Sequence, residues 1–162
     1  MSILTQKSLA KNISFEGVGI HSGKKVKIDI KQARPNTGIV FKRVDLKRNN
    51  IIIPHYSNVT DTTLCTTISN QMNVKVSTIE HLMGAFYGLG IDNAIVETNS
   101  QEMPILDGSA KLFVDKICAA GIEVSDQPIK IIKINKNITI SDNDKFISID
   151  KSNVTCDIDF EI

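Results

Sequence analysis

The 162-residue sequence predicts an α+β fold, a two-layer α/β sandwich in which two helices cover one face of a mostly antiparallel sheet. Three observations lead there. Short segments rich in β-branched residues recur, punctuated by Gly, Pro and Asn. Two other segments carry apolar residues at helical spacing along one side only. One-sided helices of this kind need a sheet face to bury against.

The strand segments come first: KNISFEGVGIH (11–21), KVKIDIK (25–31), GIVFKRVD (38–45), NIIIPHYSNV (50–59) and TTLCTTIS (62–69). In STIEHLMGAFYGLG (77–90) the spacing of Ile79, Leu82, Met83 and Phe86 predicts a helix. Ser77 followed three residues later by Glu80 reads as a capping box, and Gly88 and Gly90 read as the stop. A strand follows at NAIVETNS (93–100), then a turn-rich EMPILDGS (102–109). The second helix is expected from about Ser109 to Ala120, with Asp107 or Ser109 as cap, Gly121 as stop, and a buried stripe of Leu112, Phe113, Ile117 and Ala120.

After EVSDQP (123–128) only strand patterns remain: IKIIKI, NITI, KFISID and TCDIDFEI, with SDND as a hairpin turn. Lys11–Phe15 (KNISF) recurs as Lys136–Ile140 (KNITI), and KVKIDIK is echoed by KFISIDK (145–151). The expected division is therefore 1–126, a first sandwich domain, and 127–162, the first strands of a second similar domain that is cut off.

Charge and composition exclude several classes. A formal net charge of +1 gives no global attraction to nucleic acid or anionic membrane. The one basic cluster alternates Lys25, Lys27 and Lys31 with Val26, Ile28 and Ile30, which describes a strand with one solvated face. An RNA-binding domain built on that strand is disfavoured by the charge balance and by an aromatic content of 5%. No signal-peptide pattern and no run of membrane-spanning length is present, so no integral membrane segment is expected and the reading is cytoplasmic. Three widely spaced cysteines, Cys65, Cys118 and Cys156, form no C-x-x-C pair and suggest reduced thiols, with Cys118 buried among apolar neighbours.

The chemistry-bearing motifs are few. GVGIHSGKK (17–25) is not a phosphate loop: Val18 stands where a glycine is needed, no Ser or Thr follows Lys24, and a strand rather than a helix comes next. Its glycines permit a bend carrying His21. Cys65 reads as a small filler of a half-buried strand, and His55 as a loop histidine. His81 is more informative, since it points away from the apolar stripe, toward Gly84, Ala85 and Gly88. A neutral histidine is a metal ligand, but no HExxH is present, and a catalytic zinc takes three protein ligands. From spacing alone, Glu80-His81 reads first as a helix start, and a metal site is the lesser reading.

Together, GVGIHSGKKV, TTLCTTI, VSTIEHLMGAFYGLGIDN and EMPILDGSA, in this order, resemble the UDP-3-O-acyl-N-acetylglucosamine deacetylases of lipid A biosynthesis. The resemblance implies a zinc amidase of two similar α/β sandwich domains with the active site between them. It implies Glu80 as general base, His81 as one zinc ligand, and His21, Leu64 and Cys65 as groups beside the substrate. It also implies a UDP-sugar acyl substrate. The family's H-K-x-x-D segment, which supplies the other two ligands, is absent from the sequence. The expectation is the N-terminal half of such an enzyme, inactive alone, with a separate C-terminal half as candidate partner. The alternative is a non-catalytic remnant serving at most as a binding or assembly module.

Overall fold

In the computed structural model of the chain the described residues are 4–152, 158–159 and 161. They divide into two compact units, Met1–Ile129 and Lys130–Ile162. The first unit is organised by a five-stranded sheet of β2 (Ile13–Val18), β3 (Lys25–Gln32), β4 (Ile39–Arg43), β5 (Ile51–Ile52) and β9 (Ala94–Thr98). The spatial order is β2-β3-β9-β4-β5, and every pairing is antiparallel except β4 with β9.

Register decides what this sheet buries. Ile13 lies opposite Ile30, Phe15 opposite Ile28, and Val96 sits between Ile30 and Phe41. These residues share one face, and all are buried. The opposite face carries Lys27, Lys31, Lys42, Glu16 and Glu97, because side chains alternate along a strand. There Glu97 bridges Lys31 at 2.7 Å and Lys42 at 3.0 Å. The basic strand is thus a solvated face, as its alternation predicted.

Both helices cover the apolar face. From α1 (Glu80–Leu89), Leu82, Ala85 and Phe86 enter the same core as the sheet residues. From α2 (Lys111–Ala120), Phe113 and Ile117 do, and the Phe113 ring lies 4.9 Å from that of Phe15. Burying each of these aromatic side chains contributes roughly 1.5–3 kcal/mol.

Several expectations are corrected. α1 begins at Glu80, and its stop is Gly90 in the left-handed conformation; Gly88 lies within the helix. On α2, Leu112 and Cys118 are exposed, since the sheet admits only the Phe113–Ile117 edge. Ser109 Oγ accepts the Lys111 N–H at 3.0 Å and itself donates to Asp107, so both proposed caps take part, although the helix proper starts two residues later. NIIIPHYSNV breaks into β5, a 3-10 turn (Tyr56–Asn58) and β6 (Val59–Asp61), because Pro54 interrupts the ladder. TTLCTTIS is a strand only at its end, β7 (Thr67–Ser69), which pairs with β6 and with β8 (Lys75–Val76).

Three strands escaped sequence reading: the two-residue β8, and β1 (Thr5–Leu9) and β10 (Ile122–Pro128), which pair antiparallel. Their polar stretches hide the pattern. Gln6, Ser8 and Asn93 are nonetheless buried, and they bond one another or nearby backbone; Asn93 Nδ2 donates to Gln6 Oε1 at 3.0 Å.

In the second unit, IKIIKI forms no strand, while β11 (Ile138–Asp142) and β12 (Lys145–Ile149) make an antiparallel hairpin. Ile138 faces Ile149 and Ile140 faces Ile147, all on one exposed side. The expected TCDIDFEI strand falls largely outside the described residues, as does Cys156.

Arg43 lies on the inward side of β4, where an apolar residue would be expected. Its guanidinium forks onto Asp45 at 2.8 and 2.6 Å and donates to the Lys75 carbonyl at 2.9 Å. It therefore ties β4 to the strand that leads into α1. Truncation by Arg43→Ala should cost about 2–3 kcal/mol in urea unfolding, from lost charge-assisted bonds and an unpaired carbonyl. A loss near zero would show that the Lys75 carbonyl finds water instead.

Candidate active site

The entry to α1 is built from a bridge, a strained turn and a borrowed hydrogen bond. Ser77 does not cap the helix. Its N–H donates to Gln101 O at 2.8 Å and its carbonyl accepts the Met103 N–H at 3.0 Å, a parallel bridge to Glu102. Thr78 then turns with φ +58°, the left-handed region, although it is β-branched. It is 4% exposed and its hydroxyl has no hydrogen-bond partner among the described residues. Strain of this type costs about 1–3 kcal/mol. Helix N-cap Ile79 offers no side-chain bond.

With Ser77 held by the bridge, the capping box cannot form. Glu80 reaches elsewhere: its Oε2 accepts the Thr66 N–H at 3.0 Å. Its other oxygen makes no hydrogen bond among the described residues. The carboxylate is thus fixed at one end and open at the other.

Thr66 can serve because residues 62–66 bend rather than run as a strand. Asp61 Oδ1 accepts the Thr63 N–H at 2.8 Å, an Asx-type turn that starts the bend. Leu64 follows with φ +64° and is 85% exposed, an unusual setting for an apolar side chain. Cys65 is half-buried, its Sγ 3.7 Å from Thr67 Oγ1. The strand reading of Leu64 and Cys65 is corrected accordingly, while the half-burial expected of Cys65 holds.

His21 sits on the turn between β2 and β3 and its side chain is exposed. Its backbone is held by a residue that sequence reading left unassigned. Glu102 is 4% exposed, and its two oxygens accept the N–H groups of His21 and Ser22, each at 2.8 Å. Burial pushes the Glu102 carboxyl up, but the bonds from His21 and Ser22 outweigh it and hold the group below the ordinary glutamate value. Gly19 lies beneath it, where an added Cβ would collide with the Glu102 carboxylate. The available signal was an acid inside the apolar run EMPIL, with no basic neighbour to pair it.

His81, in the first turn of α1, is half-buried. Space beside the helix is open at Gly84 and Gly88, where an added Cβ would meet nothing within 4 Å. Ala85, expected on that bare face, is fully buried instead. His55 is engaged locally, its Nδ1 2.7 Å from Ser57 Oγ. Among the described residues no three His, Cys, Asp or Glu side chains gather as a metal-holding group. One imidazole beside one carboxylate suits zinc in kind, but three protein ligands are the usual number. These residues do not make a zinc site by themselves.

Residues 6–162 match the model of a deacetylase family. The chain belongs to that family, UDP-3-O-acyl N-acetylglycosamine deacetylase (LpxC), which is zinc-dependent. Among its relatives, the UDP-3-O-acyl-N-acetylglucosamine deacetylases of Pseudomonas entomophila and Teredinibacter turnerae are each 46% identical over 162 residues, covering 98% of this chain and 53% of theirs. That of Colwellia psychrerythraea is 45% identical over 144 residues, 89% of this chain and 47% of its own. The chain spans about half the length of these relatives. Among the described residues no helix is long and apolar enough to cross a membrane.

Because the folded pKa of Glu102 is depressed, its stabilisation is full above the unfolded value of about 4.3 and is lost as pH falls through the folded value. Glu102→Gln should lower stability at pH 7 by about 1.5–3 kcal/mol, with the gap to wild type closing below pH 4. Urea midpoints at several pH values measure this; a gap independent of pH would contradict it.

Proposed function

We propose that this chain supplies the base-bearing half of a deacetylase that removes the N-acetyl group from a UDP-3-O-acyl-N-acetylglucosamine. The observation that carries the reading is Glu80. It lies in a chain that belongs to the deacetylase family, and its carboxylate is held by the Thr66 N–H instead of capping its own helix. One oxygen is anchored, and the other is left to accept a proton.

In amide hydrolysis a water attacks the acetamide carbonyl, the C–N bond breaks, and acetate and the free amine leave. Glu80 is assigned the proton of the attacking water, which requires the carboxylate within about 2.6–3.2 Å of it. His81 is assigned as one zinc ligand; bound zinc would supply Lewis-acid polarisation of the carbonyl. His21, Leu64 and Cys65 are assigned to the substrate side. The exposed Leu64, on its strained turn, suits contact with an apolar acyl portion. The remaining ligands must come from outside the described residues, which hold no third metal-binding group beside His81.

Residues 127–162 are read as the first strands of a second sandwich domain. The β11–β12 hairpin repeats the antiparallel pairing of β2 and β3, and its isoleucine face suits a covering layer. The competing reading, a folded but non-catalytic module, is favoured by the absence of a complete ligand set among the described residues.

The chain alone is expected to bind zinc far below one equivalent by elemental analysis and to release no acetate. Addition of a separately expressed C-terminal half from a relative, with zinc, should restore deacetylation, and Glu80→Ala should then lower the rate by about 10²–10⁴-fold. Continued silence of the mixture would support the non-catalytic module.

A further inference from the structure

The segment Gln101–Leu106 bonds both the glycine turn that carries His21 and the entry to the helix that carries Glu80. Its backbone forms the bridge that fixes Ser77, three residues before Glu80. Its one carboxylate fixes the His21–Ser22 turn. It is further joined to β2 by the Ile105 N–H, which donates to Val18 O at 3.0 Å, and by Pro104, whose Cβ would stand 3.0 Å from a Cβ placed on Gly17. The glycine loop, the helix entry and, through Thr66, the 62–66 bend therefore share one physical anchor.

We propose that Glu102 is a positioning residue that couples the His21 turn to the Glu80 carboxylate. The route is continuous. Its side chain holds His21 and Ser22, the Gln101 carbonyl and the Met103 N–H on either side of it hold Ser77, the left-handed turn at Thr78 passes that constraint to Ile79, and Glu80 is thereby delivered to the Thr66 N–H. A carboxylate suits this task because it accepts two convergent N–H groups at once, and bonds to a charged acceptor are about twice as strong as neutral ones. Burial excludes the water that would otherwise compete for those N–H groups. The unpartnered hydroxyl and left-handed φ of Thr78 fit a turn imposed by its neighbours on both sides, rather than one chosen by its own preference.

The inference rests on reading Glu80 as the active carboxylate, but its test does not need catalysis. Amide hydrogen exchange is measured by NMR on the full chain, with each rate divided by that of the Val96 amide, which reports global opening. In Glu102→Gln the His21 and Ser22 amides should exchange about tenfold faster, as expected for loss of charge-assisted bonds. The Thr66 amide, bonded to Glu80 alone among the described residues, should also exchange at least about threefold faster, the lower range of coupling between residues of one network. Gly19→Ala attacks the same contact from the loop side, leaves Glu102 intact, and should give the same pattern if Glu102→Gln folds poorly. Faster exchange at His21 and Ser22 with Thr66 unchanged in either variant would overturn the coupling. So would a rise at Thr66 that merely tracks Val96. Continued silence of the mixture of the two halves with the Thr66 response present would support the non-catalytic module and leave the positioning role standing.

Discussion

A sheet that buries only one of its faces constrains everything else in the first unit. Ile13, Phe15, Ile28, Ile30, Phe41 and Val96 share that face, while the lysines and Glu97 take the other. Exchange of the two faces would require a one-residue slip of every strand, which would expose the core and bury the charges. Both helices are therefore confined to one layer, and each can turn only one edge inward. The consequence for α1 is direct. Leu82, Ala85 and Phe86 go to the sheet, so the Gly84–Gly88 side is left in the open.

Within that frame the helix entry is assembled against local preference. Ser77 and Glu80 have the spacing of a capping box, and Thr78 has a side chain that disfavours positive φ. Neither preference prevails, because the Ser77–Glu102 bridge and the Glu80–Thr66 bond draw on backbone groups already fixed elsewhere. Local costs of this size survive only where surrounding structure over-determines the conformation. Leu64 shows the same pattern on the neighbouring bend. Two strained residues thus flank the hydrogen bond that holds the proposed base.

Buried polar groups do a second kind of work here. Arg43 ties the sheet to β8, Glu102 ties a glycine turn to the segment before α2, and the Gln6–Asn93 pair fastens β1. Each is satisfied by specific partners, so each specifies geometry that apolar contact alone would leave loose. All three stand where periodicity calls for an apolar or unremarkable residue, and for that reason pattern reading passes over them.

By itself the sequence determined the sandwich, its two helices and the solvated lysine face, because those follow from alternation and helical period, which are local. It also determined the family, since four motifs in fixed order carry that signal together. Tertiary structure alone decided the edges of these elements and the role of their polar residues. Glu80 bonds a residue fourteen positions earlier and Glu102 a turn eighty positions away. Contacts at that separation leave no periodic trace in the chain. The Glu80-His81 pair was legible as a candidate site only through resemblance; that the Glu80 carboxylate leaves the helix cap and turns to Thr66 was settled by where Ser77 is pinned.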